Sequence, residues 1–184
     1  MKEWEDPESF GNSMSIKNEG QGDIFIRMTV KGTPRTDNRP SENKNLSLKA
    51  EYFDMEGNAI DITSLPQGMD FKAVVTATLS TVPRGQDNLA LTMIFPSGWE
   101  IIKRSASGFD AEYEGKNFDY QDIRDDRVYT FFYLAPGQSK KFTVYLNSTY
   151  QGSFFLPAIS CEAMYDESIY SRLAGRWVKV VPSQ

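Results

Sequence analysis

The sequence predicts an all-β fold, an antiparallel sandwich of two facing sheets, and three observations carry that expectation. Short segments alternate apolar and polar side chains with period two, turn signals fall between them, and no long segment keeps a helical period. At 184 residues with 40% hydrophobic and 13% aromatic side chains, the chain is apolar enough to fold around a core without disulfide staples.

The first strand is expected over 24–30, where Ile24, Ile26, Met28 and Val30 oppose Phe25, Arg27 and Thr29. The stretch 32–45 is almost wholly polar and reads as a loop, which makes it the best boundary along the chain. A strand over 46–53 follows. In 70–79, Phe71, Ala73, Val75, Ala77 and Leu79 share one face, Asp70, Lys72, Thr76 and Thr78 share the other, and only Val74 breaks the pattern. In 89–95, Leu89, Leu91, Met93 and Phe95 alternate with Ala90, Thr92 and Ile94.

The stretch 104–122 reads as a long connection that packs down through Phe109, Tyr113, Phe118 and Tyr120. Further strands are expected over 128–134, 142–148, 153–159 and 176–181. Pro157 has no amide to donate, so the apolar run around it reads as an edge or a bulge. Turns are expected at Asp54–Asn58, Pro66–Gly68, Pro83–Gly85, Pro96–Gly98 and Pro136–Gln138.

Composition narrows the chemistry. A net charge of −5 gives nucleic acid and anionic lipid no broad positive field to find. The absence of histidine removes the usual general base, the usual zinc ligand and the Ser-His-Asp and Cys-His arrangements. Neither a catalytic residue nor a metal or cofactor site is expected. The single Cys161 reads as a buried strand residue. No stretch is long and apolar enough for a helical membrane span, and the charged N-terminus lacks a signal-peptide core, so the chain reads as either cytosolic or a piece cut from a longer secreted protein, and the polar, turn-rich stretch after Met1 favours the piece.

Candidate sites are few. Asp122, Asp125 and Asp126 form a carboxylate cluster of the kind calcium favours, but Arg124 and Arg127 are placed to neutralise it as a charged turn. Asp54–Asn58 lacks the closing glutamate of a calcium loop and reads as a hairpin turn. Trp4, Trp99 and Trp177 with the tyrosines could stack on sugar, and a carbohydrate-binding or adhesive sandwich is the alternative reading.

Several motifs stand in order. They are Tyr52-Phe53-Asp54-Met55-Glu56-Gly57, Leu65-Pro66-Gln67-Gly68, Phe95-Pro96-Ser97-Gly98-Trp99-Glu100, Asp122–Val128, Leu134–Gly137, Gly152–Ala158 and Glu162-Ala163-Met164-Tyr165-Asp166. Together, over about 46–181, they resemble the terminal macroglobulin (MG10) domain of bacterial alpha-2-macroglobulins. The resemblance implies an immunoglobulin-like macroglobulin sandwich over 45–184. It makes 1–44 leading strands and a polar loop from a preceding CUB-like region, or an added edge.

It further implies a non-catalytic docking domain of a protease-trapping protein of the periplasm or cell envelope. Its partners would be neighbouring domains of the parent chain, the thioester domain first among them, and proteases only indirectly. The family's Cys-x-Glu-Gln thioester motif is missing here, since the one cysteine reads Cys161-Glu162-Ala163-Met164. By position, the family's thioester-shielding Met-Tyr pair falls on Met164 and Tyr165.

Overall fold

A computed structural model describes residues 17–23, 25, 39–102 and 117–183. The chain divides into two compact units, Met1–Thr33 and Pro34–Gln184. In the first, Asn18 caps a turn, its side-chain oxygen accepting from Gly20 N–H at 2.9 Å and its amide donating to Gly22 O at 2.6 Å. Apart from Phe25, the strand expected over 24–30 lies outside the described residues, as do Trp4 and the stretch 104–116.

The second unit is all-β, with no helix among its described residues. Its strands are β1 (Glu42–Lys44), β2 (Leu46–Asp54), β3 (Ser64–Pro66), β4 (Asp70–Leu79), β5 (Gln86–Ile94), β6 (Trp99–Ile101) and β7 (Tyr120–Ile123), then β8 (Arg127–Leu134), β9 (Ser139–Ser148), β10 (Gly152–Leu156), β11 (Ile159–Ala163), β12 (Asp166–Leu173) and β13 (Arg176–Val181). A six-stranded sheet runs β1-β12-β11-β5-β8-β7 and a four-stranded sheet β2-β4-β9-β6. A small third sheet, β10-β13-β3, pairs β13 with β3 in parallel.

Period-two burial builds the core. Phe71, Ala73, Val75, Ala77 and Leu79 of β4 are all buried, as are Leu89, Leu91 and Met93 of β5 and Phe142, Val144 and Leu146 of β9. The two large sheets meet where Phe132 packs on Phe142, ring centroids 4.5 Å apart. Each such side chain removed from water contributes roughly 1.5–3 kcal/mol before chain entropy is set against it. Trp99 is buried and offers Tyr52 and Phe71 edge-to-face contacts at 6.3 and 5.0 Å, so it belongs to the core.

The structure adds strands that the alternation does not predict, the short β3 (Ser64–Pro66) and β6 (Trp99–Ile101) beside expected turns among them, and it divides one that was expected. Glu42–Lys44, expected inside a loop, forms β1 because it lies antiparallel along β12. Tyr120–Ile123, also expected as loop, forms β7 along β8. The apolar run 153–159 is two strands, since Pro157 and Ala158 carry the chain from the small sheet at Leu156 to the large one at Ile159. β12 was not expected at all.

Turn chemistry follows the sequence more closely. Asp54 accepts Asn58 N–H at 2.8 Å and the Asn58 amide at 2.9 Å while Gly57 takes φ 95°, a value L side chains rarely adopt. Ser148, fully buried at the end of β9, donates to Pro66 O at 2.6 Å and accepts Met69 N–H at 3.1 Å, tying the Pro66–Met69 turn to the core.

Candidate functional site at the β11–β12 tip

β11 and β12 form a hairpin whose connecting residues are Met164 and Tyr165. The pairing runs regularly to Glu162 opposite Tyr170, then jumps so that Ala163 faces Asp166. The extra residues Glu167–Ile169 bulge on the β12 side and carry the tip outward. Its two flanks stay anchored, because Ala163 and Ile169 are buried in the core.

Hydrogen bonds hold the tip from both sides. Met164 N–H donates to Asn88 O at 3.2 Å, and Asn88 presents that carbonyl from a left-handed conformation, φ 55°. Across the hairpin, Lys44 Nζ donates to Glu167 O and the Asn45 side-chain amide to Ser168 O, each at 3.0 Å. Asp166 Oδ1 accepts Ser168 N–H at 2.9 Å. The side-chain and backbone hydrogen bonds from Ser168, with Lys44 nearby, hold the Asp166 carboxyl below the usual aspartate range.

This braced frame presents Met164 at 53% exposure and Tyr165 at 82%. The sequence places both at the end of a strand-like run, and the bulge puts them outside the core instead. A polarizable thioether and an amphipathic ring thus stand side by side in solvent at the hairpin end.

The other sequence candidates do not converge on a cleft. Asp122 meets Arg124 at 3.0 Å, and Asp126 receives Arg127 through two bonds of 2.8 and 2.6 Å, a geometry that holds the Asp126 carboxyl below its ordinary range. Among the described residues no three His, Cys, Asp or Glu side chains come together as metal ligands would. Of the tryptophans that could stack on sugar, Trp99 is buried. Trp177 is exposed, but it meets Phe155 edge-to-face at 70°, so the two rings present no common plane.

Cys161 lies in β11, fully buried, and burial followed by the nearby Glu162 charge pushes its thiol up to about 12. At pH 8 its thiolate fraction is therefore about a thousandfold below that of a thiol with the ordinary value of 9.0. Alkylation of the native protein followed by mass spectrometry is expected to leave Cys161 unmodified over hours, with labelling in minutes once guanidinium unfolds the chain. Rapid native labelling would place the thiol at the surface.

The fold and this tip define an immunoglobulin-like sandwich domain whose candidate site is a braced, exposed hairpin end. The family model described as the bacterial alpha-2-macroglobulin MG10 domain matches residues 46–168, and the chain belongs to that family. It is 27% identical over 164 residues to an alpha-2-macroglobulin homolog of Yersinia pestis, covering 77% of this chain. It is 22% identical to alpha-2-macroglobulin of Pasteurella multocida over 89% of its length. Among solved structures, Salmonella alpha-2-macroglobulin reacted with methylamine superposes at TM-score 0.69 and 19% identity over 82% of the chain. The chain spans 8% of each of those two relatives and 10% of that solved chain.

Proposed function

We propose that this chain is a docking domain, without catalysis of its own, in a bacterial alpha-2-macroglobulin-like protease-trapping protein of the periplasm or cell envelope. Its contact is the tip: Met164 and Tyr165 lie against the thioester domain of the same parent protein and keep water and small amines from the bond. The observation that supports this reading is the exposed Met164-Tyr165 pair on a hairpin end held by Asn88, Lys44 and Asn45. Flexible apolar side chains on a rigid base cover a reactive group well, and they release it when the larger assembly rearranges.

In the parent protein, Met164→Ala with Tyr165→Ala is expected to shorten the lifetime of the thioester in methylamine at least about tenfold, the equivalent of roughly 1.4 kcal/mol of lost contact. Because both side chains are already exposed, the thermal transition of this domain is expected to stay within a degree or two, since surface changes away from special features seldom exceed about 0.5 kcal/mol. A thioester lifetime equal to that of the unmodified protein would reject the assignment.

A further inference from the structure

The bulge that carries the tip has no ladder partner on its β11 side. β11 pairs with β12 up to Glu162 opposite Tyr170 and resumes only at Ala163 opposite Asp166, so Glu167, Ser168 and Ile169 have no register partner there. β1 lies on the other side of β12, and its register ends at the same residue, with Lys44 opposite Tyr170 and an isolated bridge from Asn45 to Tyr170. Beyond Tyr170 side chains take over from backbone. Lys44 Nζ donates to Glu167 O and the Asn45 amide to Ser168 O, each at 3.0 Å. Ile169 is buried and keeps β12 seated, while the two residues before it stand on these donors.

Both donors sit on one strap. From Arg39 to Asn45 the chain follows β12 through a series of polar contacts: Arg172 Nη1 donates to Arg39 O and Pro40 O, Ser41 Oγ accepts Ala174 N–H, and Ser171 Oγ donates to Asn43 Oδ1. Residues Ser41 to Asn45 are all exposed, so unpairing them uncovers little apolar surface. The next residue, Leu46, is buried in the core, and Asn45 O accepts Ser80 N–H at 2.9 Å. Opening that begins at Arg39 therefore stops at Asn45, and the strap forms a cooperative unit separate from the two large sheets.

Among the described residues, two that are not glycine have a left-handed backbone, and both bond the tip. Asn45, at φ 53°, does so through its side-chain amide, and Asn88, at φ 55°, through the carbonyl that takes Met164 N–H. Asparagine is one of the few L residues that adopt this region readily. The tip is thus clamped on two flanks, one within β5 and the other on a strap that can leave.

We propose that Arg39–Asn45 is a latch on the tip, with Lys44 and Asn45 as its positioning residues. While β1 lies on β12, the Met164-Tyr165 end is held for contact. When β1 unpairs, Glu167 and Ser168 lose their donors and the tip loosens. The latch is a property of this chain, and its consequence, a thioester cover that β1 engages or releases, rests on the docking reading above.

Amide hydrogen exchange at single-residue resolution in the 184-residue chain tests the latch. Lys44→Met with Asn45→Asp removes both donors while keeping the stem of one and the left-handed backbone of the other. It is expected to speed exchange of the Met164 and Ser168 amides about tenfold, with β4 and β9 unchanged. Lys44→Arg alone, which keeps a cationic donor on a long stem, is expected to leave the tip as it is. Arg172→Ala, which frees 39–40, is expected to speed the Met164 and Ser168 amides by the same factor as those of 42–44. Unchanged tip exchange in the double variant would overturn the latch, as would fast exchange at 42–44 beside a protected tip in Arg172→Ala. Acceleration that reaches β4 and β9 in the double variant would overturn it too, by marking a general loss of stability. In the parent protein, a tip loosened by the double variant beside an unchanged thioester lifetime in methylamine would reject the docking reading and leave the latch standing.

Discussion

Phe71→Ala is expected to lower the unfolding free energy by about 3–5 kcal/mol, the range for truncating a large aromatic in a closed core. Phe71 has no exposed surface and sits in β4, the strand flanked by both β2 and β9, opposite Leu146 and Asp54 in the two ladders. Its ring meets Trp99 edge-to-face at 5.0 Å and 81°, a contact worth about 0.5–1.5 kcal/mol beyond the area it buries. The backbone around it is paired on both sides and cannot sink into the space left behind. Against a typical total of about 5–15 kcal/mol, the variant approaches marginal stability. Denaturant titration followed by tryptophan fluorescence is expected to show a much lower midpoint with an unchanged slope. A loss under about 1.5 kcal/mol would mean that the ring is not enclosed as described.

Arg172→Ala is expected to cost about 2–4 kcal/mol and to act locally. Arg172 is buried at 3% exposure on β12, and its Nη1 donates to Arg39 O at 2.7 Å and Pro40 O at 3.4 Å. Ser41 Oγ accepts Ala174 N–H at 2.9 Å beside it, so 39–41 is clasped across the end of β12 immediately before β1 begins. Truncation strands carbonyls that then lack their donor, each at about 1–3 kcal/mol if still buried, and it removes the packed stem of the side chain. Exchange of the 42–44 amides is expected to rise sharply while that of β4 and β9 changes little. Arg172→Met, which restores the stem without the donors, is expected to recover less than half of the loss. A uniform acceleration across all strands would show that the clasp is not a separable element.

The strands that were legible in the sequence are those whose burial is settled by side-chain chemistry alone. Phe71 to Leu79 alternates cleanly because one face is apolar and the other carries Asp70, Lys72, Thr76 and Thr78, and the structure buries that apolar face. β12 was not legible because its inward and covered positions include Ser171 and Arg172. Ser171 donates to Asn43 Oδ1 at 2.6 Å and Arg172 to the 39–40 carbonyls, partners more than 120 residues away that no local pattern can announce. β1 was hidden for the same reason, since Glu42, Asn43 and Lys44 are polar and find a strand only when β12 is there to pair with them.

The candidate site divides in the same way. The Met164-Tyr165 pair stood out through resemblance, but its exposure depends on the three-residue excess between Ala163 and Tyr170, a matter of pairing register rather than residue type. The charged turn at Asp122–Arg127 was readable because acid and base sit within two residues of each other along the chain.

The passage through Asn45, where φ turns to 53°, lets one continuous run of backbone lie first along β12 and then along β4. A pull entering from the residues before β1 therefore does not peel a single ribbon. It must slide the Arg39–Lys44 stretch against one layer, and behind it the nine-residue ladder of β2 against the other, so that many bonds bear the load at once. The junction behaves like a lap seam stitched through two plies, stiff under traction along its length and weak only where the two ends of the thread emerge.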